Sequence, residues 1–312
     1  MPSHEILAIL PTVDTPAPDH RLQFVTAAGF TAVLKKSKRP TIALPQSRRQ
    51  VLQDAAVRQS LLEACMPLGP LLVFRPGCHL DINELTAFVT ANQPVLDRLA
   101  GQLRDMVQFQ VSVSWTPPGV LDHFRSAPEI TPIFQSGQTS QDALTLGITA
   151  LAARLHSDIA DILDGVSTDL LHLPCAEDML INTVVLLPAN HADKLDQAIE
   201  LVDGIWSDGF LIKQIGPSPA ASFALLDIAP ITPLEIRYAI DRLGLDKKIT
   251  INAIQQARRD ALLRTPQDAA QIKQAVTVVE AAVRVGAFDQ ALMLCTVQAE
   301  GAAHAKSVQK VA

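Results

Sequence analysis

The chain has 312 residues, about twice the roughly 150 of an ordinary domain, so two domains with room for a small third unit are expected. Hydrophobic residues make up 48% and aromatics only 4%, so the core is built from Leu, Ile, Val and Ala, and disorder is excluded over most of the length. A net charge of −6, with no basic run longer than Lys35-Lys36 followed by Lys38-Arg39, argues against a nucleic-acid partner, and no apolar run approaches the roughly 18 residues of a membrane span.

The N-terminus Met1-Pro2-Ser3-His4-Glu5 lacks the basic and apolar regions of a signal peptide. Cys65, Cys78, Cys175 and Cys295 are scattered, without C-x-x-C or metal-ligand spacing. A reduced, cytoplasmic protein is the expectation, with no cofactor and no metal. Glu5 to Leu10 reads as a buried strand closed by Pro11, and Leu22–Thr26 and Thr31–Leu34 as two more strands around Gly29. Arg49 to Cys65 has no breaker and sets Val57, Leu61 and Cys65 at helical spacing. Leu71-Leu72-Val73-Phe74 is too short for a helix and suits a buried strand. A helix then places Leu85, Phe88, Val89, Asn92, Leu96, Leu99 and Leu103 on one face, with Pro94 as a bend or break. Val107, Phe109, Val111, Val113 and Trp115 alternate with Gln and Ser, which predicts a strand with one core face.

Thr116-Pro117-Pro118-Gly119 marks a boundary, and the stretch to Thr139 reads as a linker. From Ser140, Leu144, Ile148, Leu151, Leu155, Ile159 and Ile162 form a long helical stripe. It is a core stripe with length to spare for an exposed part that meets an amphipathic partner helix. Met179–Leu187 predicts a strand, and Leu195, Ile199, Val202 and Trp206 one face of a helix that stops at Gly209. Phe210–Ile215 and Ser222–Asp227 are expected to flank a rigid Gly216-Pro217-Ser218-Pro219 turn. Thr232-Pro233-Leu234-Glu235 combines an N-cap, a first-turn proline and a capping-box glutamate. The helix it starts stops at Gly244, a second covers Ile251 to Leu263, and a third sets Ile272, Val276, Val279 and Val283 on one face. Residues after Gly301 are expected to fray.

The resulting expectation is an α+β chain of two ferredoxin-like α/β sandwich domains with an appended three-helix C-terminal unit. Its parts are residues 1–116, a linker at 117–139, a second α+β domain at 140–230, the helical unit at 231–290 and a tail at 291–312.

No catalytic constellation emerges. His156, Asp158 and Asp161 lie close on one helix, but such groups at a helix surface are ordinarily solvated. Cys78-His79 near Asp81 sits at a turn, and adjacent residues rarely supply nucleophile–base geometry. The Gly216-Pro217-Ser218-Pro219 segment cannot cradle phosphate, because prolines remove backbone donors. Phe74-Arg75 is the candidate partner contact, since an arginine just past a buried strand pairs with the protein's own acids or with a partner.

Several blocks together resemble the F/L family of gas vesicle accessory proteins. In the first half these are Pro67-Leu68-Gly69-Pro70-Leu71-Leu72-Val73-Phe74-Arg75-Pro76-Gly77, the helix Asn83 to Asp105 and the strand Val107 to Trp115. In the second half they are Leu155-His156, the strand Asn182 to Leu187, the helix Asp193 to Trp206 and Ile215-Gly216-Pro217-Ser218-Pro219-Ala220-Ala221-Ser222-Phe223. The sequence departs from the family pattern at Phe74-Arg75, where the arginine follows the phenylalanine, and at Ala220-Ala221, where an aromatic is common. The resemblance implies a non-enzymatic factor for gas vesicle assembly whose partners are the small apolar shell protein and other accessory proteins, located in the cytoplasm and at the vesicle. The C-terminal helices also faintly resemble a J-domain, with Thr265-Pro266-Gln267 in place of the His-Pro-Asp turn, which implies no stimulation of a chaperone ATPase. A ferredoxin-like small-molecule-binding protein or enzyme, and a degenerate cochaperone acting through these helices, are the alternatives.

Overall fold

A computed structural model of the chain describes residues 4–36, 47–115, 119–135, 140–176, 178–246 and 249–298. It begins with strands β1 (His4–Pro11), β2 (Leu22–Ala27) and β3 (Phe30–Lys35), helix α1 (Arg48–Cys65), short strands β4 (Leu72–Val73) and β5 (His79–Leu80), and helix α2 (Leu85–Gln102). Strand β6 (Met106–Trp115), helices α3 (Val120–His123), α4 (Thr131–Gln135) and α5 (Gln141–Asp164), strands β7 (Asp169–His172) and β8 (Met179–Pro188), helix α6 (Ala192–Asp203) and strand β9 (Phe210–Ser218) follow. The chain continues with strand β10 (Leu225–Ile231), helices α7 (Pro233–Leu243), α8 (Ile251–Arg264) and α9 (Ala269–Val285), and strand β11 (Leu292–Gln298). It is an α+β fold with antiparallel sheets, in two compact units: residues up to Arg104 together with Ala224–Gln298, and Asp105–Phe223. In sequence, the second unit is an insertion into the first.

In the first unit β1 is central, antiparallel to β3 on one side and to β4 and β5 on the other. Ile6 to Leu10 have no exposed surface, which is why this strand reads as a continuous apolar run and not as an alternation. Ala28 and Gly29, both at positive φ, make the two-residue turn from β2 to β3, the geometry whose twist matches the flanking strands. Helix α1 is tied to the sheet by Arg58, which donates to Glu5 Oε1 at 2.7 Å and to the carbonyls of Leu7 and Phe74. The other half of α1, residues 48–56, is exposed on every side.

Helices α7 to α9 do not form a separate appendage. Ile236, Leu243, Ile254, Ile272 and Val279 share one core with Ala91 of α2 and with Leu292 and Leu294 of β11. Three short helices would leave the broad apolar face of α9 in water, and α2 and β11 cover it. Asn92, only 3% exposed, fixes the junction. Its Nδ2 donates to the carbonyls of Phe88 and Met293, and its Oδ1 accepts from the Cys295 N–H at 2.7 Å. The start expected at Thr232 is a full capping box, and Gly244 at φ 66° ends α7 in the left-handed conformation.

In the second unit the sheet order is β7-β8-β6-β9, with every neighbouring pair antiparallel. The chain order is strand, helix, strand, strand, helix, strand, so β6 and β7 run the same way with β8 between them. The apolar stripe of α5, Leu151, Leu155, Ile159 and Leu163, is fully buried, as are Leu195 and Val202 of α6. Short α3 and α4 pack on the remainder. A Cβ on Gly147 of α5 would come within 2.6 Å of Ile133, so glycine is what lets α4 approach. Phe124 and Phe210 meet the Trp206 ring edge-on, and His123 stacks on it at 5.2 Å.

Four expectations are corrected. Strand β6 does not close the first domain near residue 116; its alternation places it centrally in the second sheet, between β8 and β9. The described part of the 117–139 linker carries α3 and α4, whose Val120, Ile130 and Ile133 are buried. Residues 210–215 and 222–227 do not pair across a Gly-Pro turn: β9 runs through Gly216 and Pro217 against β6, and β10 pairs with β11. Residues 292–298 are that β11 strand and not a tail. The Thr116-Pro117-Pro118 boundary and the residues after Gly301 lie outside the described residues.

Candidate protein interface

Phe74 and Arg75 are placed very differently. The Phe74 side chain is fully buried, its ring 6.1 Å from that of Phe88, and its N–H donates to the Leu7 carbonyl. A residue with no accessible surface offers no contact area, so Phe74 is a core residue here and not a partner contact. Arg75 emerges beside it with its side chain 57% exposed and pairs with Asp227 Oδ2 at 3.3 Å. Asp227 also accepts from the Cys78 thiol at 3.3 Å, from the Ile228 N–H and from Gln298 Nε2. Burial pushes the Asp227 carboxyl up, but the hydrogen bonds from Cys78, Ile228 and Arg75 outweigh it and hold the group below its ordinary range. Arg75 is thus engaged internally.

The other titratable residues also resolve into structural roles. The Cys78 thiol points to Asp227 and not to His79, whose Nδ1 lies 2.8 Å from the Gly77 carbonyl. Burial and Asp227 push that thiol up, and burial pushes Cys65 up to about 11, so both are protonated near neutrality. His156 Nδ1 contacts the Leu180 carbonyl at 2.7 Å, and Asp158 pairs with Arg154 at 3.0 Å. Among the described residues no group of three His, Cys, Asp or Glu side chains is arranged to hold a metal ion.

Asp161, the last residue of that trio, lines a groove instead. Between the C-terminal part of α5 and the middle of α6 lies an open hollow of about 440 Å³, bordered by Asp161, Ile162, Val166, Lys194, Ala198 and Leu201. Its formation follows from the helix faces. Leu195, Ala198 and Val202 make the buried stripe of α6, and Leu201 stands off that stripe, 65% exposed. Ile162 and Val166 likewise fall beyond the fully buried positions of α5. Apolar side chains therefore floor the hollow without closing it. Exposed Asp161 and Lys194 stand at its rim, one charge of each sign.

The groove lies within a wider segregation of charge. Residues 140–209 contain twelve acidic residues and only two basic ones, Arg154 and Lys194. Arg154 is already paired with Glu129 and Asp158. This segment is therefore strongly acidic, although the chain as a whole is only mildly so. The signal was present in the sequence as this local imbalance and as Leu201 lying off its helix stripe. The mean composition conceals both.

Among the described residues no helix is long and apolar enough to cross a membrane. A comparison with curated proteins finds no match. Among solved structures, the gas vesicle protein GvpF from Anabaena sp. PCC7120 is similar with a TM-score of 0.54 at 17% identity, over 70% of this chain and 94% of that one. GvpF from Microcystis aeruginosa is similar with a TM-score of 0.50 at 18% identity, over 70% of this chain and 97% of that one. At such identities the likeness is one of fold. The chain also matches the family of gas vesicle synthesis protein GvpL/GvpF over residues 8–224, a span that contains the groove and ends where β10 begins. The match takes in well over half of the sequence: this chain belongs to the GvpL/GvpF family of gas vesicle proteins, and its role lies with gas vesicles.

Proposed function

We propose that this chain is a non-enzymatic accessory protein of gas vesicle assembly, working in the cytoplasm and at the vesicle by binding the small apolar shell protein and other accessory proteins. Family membership supports the vesicle setting. The observation that carries the mode of action is the groove between α5 and α6, with Leu201 exposed on its floor, Asp161 and Lys194 at its rim, and an acidic segment around it. An apolar trough of this kind takes one face of an amphipathic helix, and the acidic segment around it favours helices with basic edges. Such a surface shields an aggregation-prone subunit until it is handed on.

Co-expression with the shell subunit tests this directly. The full chain is expected to co-purify with the subunit and to restore vesicles in a deletion strain, and Leu201→Asp is expected to lose both while keeping its fold. Unimpaired capture and vesicle formation by Leu201→Asp would remove the groove from the mechanism. Absence of any association between the wild-type chain and vesicle components would refute the accessory role.

A further inference from the structure

His156 has a partner that its own helix does not reveal. Within the second unit, this α5 residue lies beside His172, the last residue of β7, with the two ring centroids 5.7 Å apart and the ring planes inclined at 40°. The His156 Nδ1 is 2.7 Å from the Leu180 carbonyl. A carbonyl oxygen only accepts, so Nδ1 carries the proton and Nε2 of the neutral ring keeps its lone pair. A backbone carbonyl on the far nitrogen is also what orients a metal-bound imidazole and raises its basicity. His172 is exposed, and its ring makes no hydrogen bond among the described residues. Partial burial, and then the neighbouring His156, push His172 below its ordinary value against the pull of Asp164, which favours the neutral ring with a free nitrogen.

We infer that His156 and His172 together bind one divalent transition cation of the zinc class, with His156 Nε2 and one His172 nitrogen as ligands and water completing the sphere. Two imidazoles that share such a cation through nitrogens about 2.0–2.1 Å from it bring their centroids to roughly 5–6 Å, so the pair needs little movement to close on the ion. Imidazole suits zinc, nickel and copper, whereas magnesium and calcium take oxygen ligands. The twelve acidic residues of the 140–209 segment raise the local concentration of cations. With two protein ligands the site is open and exchangeable, unlike a closed structural site with four. Its consequence is mechanical. Strand β7 has four residues and forms one edge of its sheet, paired with β8, and a cation held by His156 and His172 clamps that edge to α5. Nothing in this depends on the groove.

Titration calorimetry with zinc chloride tests the inference on the full chain, prepared without a polyhistidine tag, near neutral pH. The wild-type chain is expected to show a saturable site for one zinc ion and no binding of magnesium. His156→Gln and His172→Gln are each expected to weaken zinc binding by more than about tenfold, and His20→Gln, which alters an exposed histidine of the first unit, to bind as wild type does. Far-UV circular dichroism and tryptophan fluorescence identical to wild type establish that the variants are folded. Zinc is expected to slow amide hydrogen exchange at residues 169–172 in the wild type and in neither variant of the pair.

A wild-type chain without saturable zinc binding, binding undiminished in either variant of the pair, or bound zinc that leaves exchange in β7 unchanged would each overturn the inference. Leu201→Asp is expected to bind zinc as the wild type does. Loss of shell-subunit capture and loss of the metal site are therefore read separately, and either can fail while the other stands.

Discussion

Replacing Arg58 by Met removes the guanidinium that joins α1 to the first sheet while keeping a side chain of similar reach. Arg58 is 11% exposed and its partner Glu5 21%. With Met in place, Glu5 retains, among the described residues, the Lys35 ion pair at 3.8 Å, and the carbonyls of Leu7 and Phe74 lose a donor. Breaking a buried pair from one side costs roughly 3–5 kcal/mol, and each buried acceptor left unpaired about 1–3 kcal/mol. Part of this is offset, because burial already disfavours the charged guanidinium and holds its pKa down against the pull of Glu5. A net loss of about 3 kcal/mol is expected for Arg58→Met. Arg58→Lys should lose less, since an ammonium reaches Glu5 but not all three acceptors. Guanidinium chloride unfolding followed by far-UV circular dichroism measures the loss. Trp115 and Trp206 both lie in the second unit, so their fluorescence tells which transition belongs to it. A loss under about 1 kcal/mol for Arg58→Met would refute the view that this arginine fastens α1.

Asn92→Leu should destabilise the first unit by about 2–4 kcal/mol, because the Cys295 N–H and the Met293 carbonyl are left unpaired in the core; hydrogen exchange at Cys295 is the local readout. Gly209→Ala would bring a Cβ to 1.9, 2.1 and 2.2 Å from three Trp206 ring atoms if nothing moved, so the near-ultraviolet signal of the tryptophans should change even where the fold survives. For Asp227, burial raises and hydrogen bonds from Cys78, Ile228 and Arg75 lower the pKa, with a net depression. A depressed carboxyl contributes stability above its unfolded value of about 3.9 and loses it as pH falls through the folded value. The stability gap between wild type and Asp227→Asn should therefore be full above roughly pH 5 and shrink in acid; a gap that widens in acid would contradict the assignment.

Local order was legible wherever periodicity and caps were strong. The alternation of β6, the Thr232 capping box and the Gly244 stop stand where their residue types require, as do Leu151, Leu155 and Ile159 of the α5 stripe, whereas Leu144, Ile148 and Ile162 are only half-buried and Leu163 takes the last core position. What the sequence could not give was the partner of each face. Strand β6 alternates identically whether it ends one sheet or lies at the centre of another, so its pattern alone does not fix which sheet it joins. The apolar face of α9 demands cover, but nothing local says that α2 and β11, about 180 residues and a few residues away, supply it. The linker reading of 117–139 failed because Val120, Ile130 and Ile133 are too sparse to form a periodic pattern, yet each is buried. At the candidate interface, Phe74 was read beside Arg75 because they are adjacent; the buried strand that makes Phe74 conspicuous also removes it from the surface.

Under the proposed function, the groove gives an acidic segment a use in a chain that would handle apolar partners. An exposed leucine floor alone would adhere to any hydrophobic surface, including its own unfolded copies. The acidic segment around it would repel such collisions and favour ligands that bring positive charge, so the floor would set how long a partner stays and the surrounding charge which partner arrives. The two contributions separate experimentally. Leu201→Asp should raise the dissociation rate of a bound basic amphipathic helix, because it removes apolar contact area. Asp161→Asn combined with Asp164→Asn and Glu200→Gln should mainly slow association and flatten its dependence on salt, because the floor is untouched and only the steering field is reduced. Stopped-flow binding of such a helix at several ionic strengths reads both rates. If neutralising these carboxylates left the association rate and its salt dependence unchanged, they would be ordinary surface charge and the selectivity would have to reside in the shape of the groove.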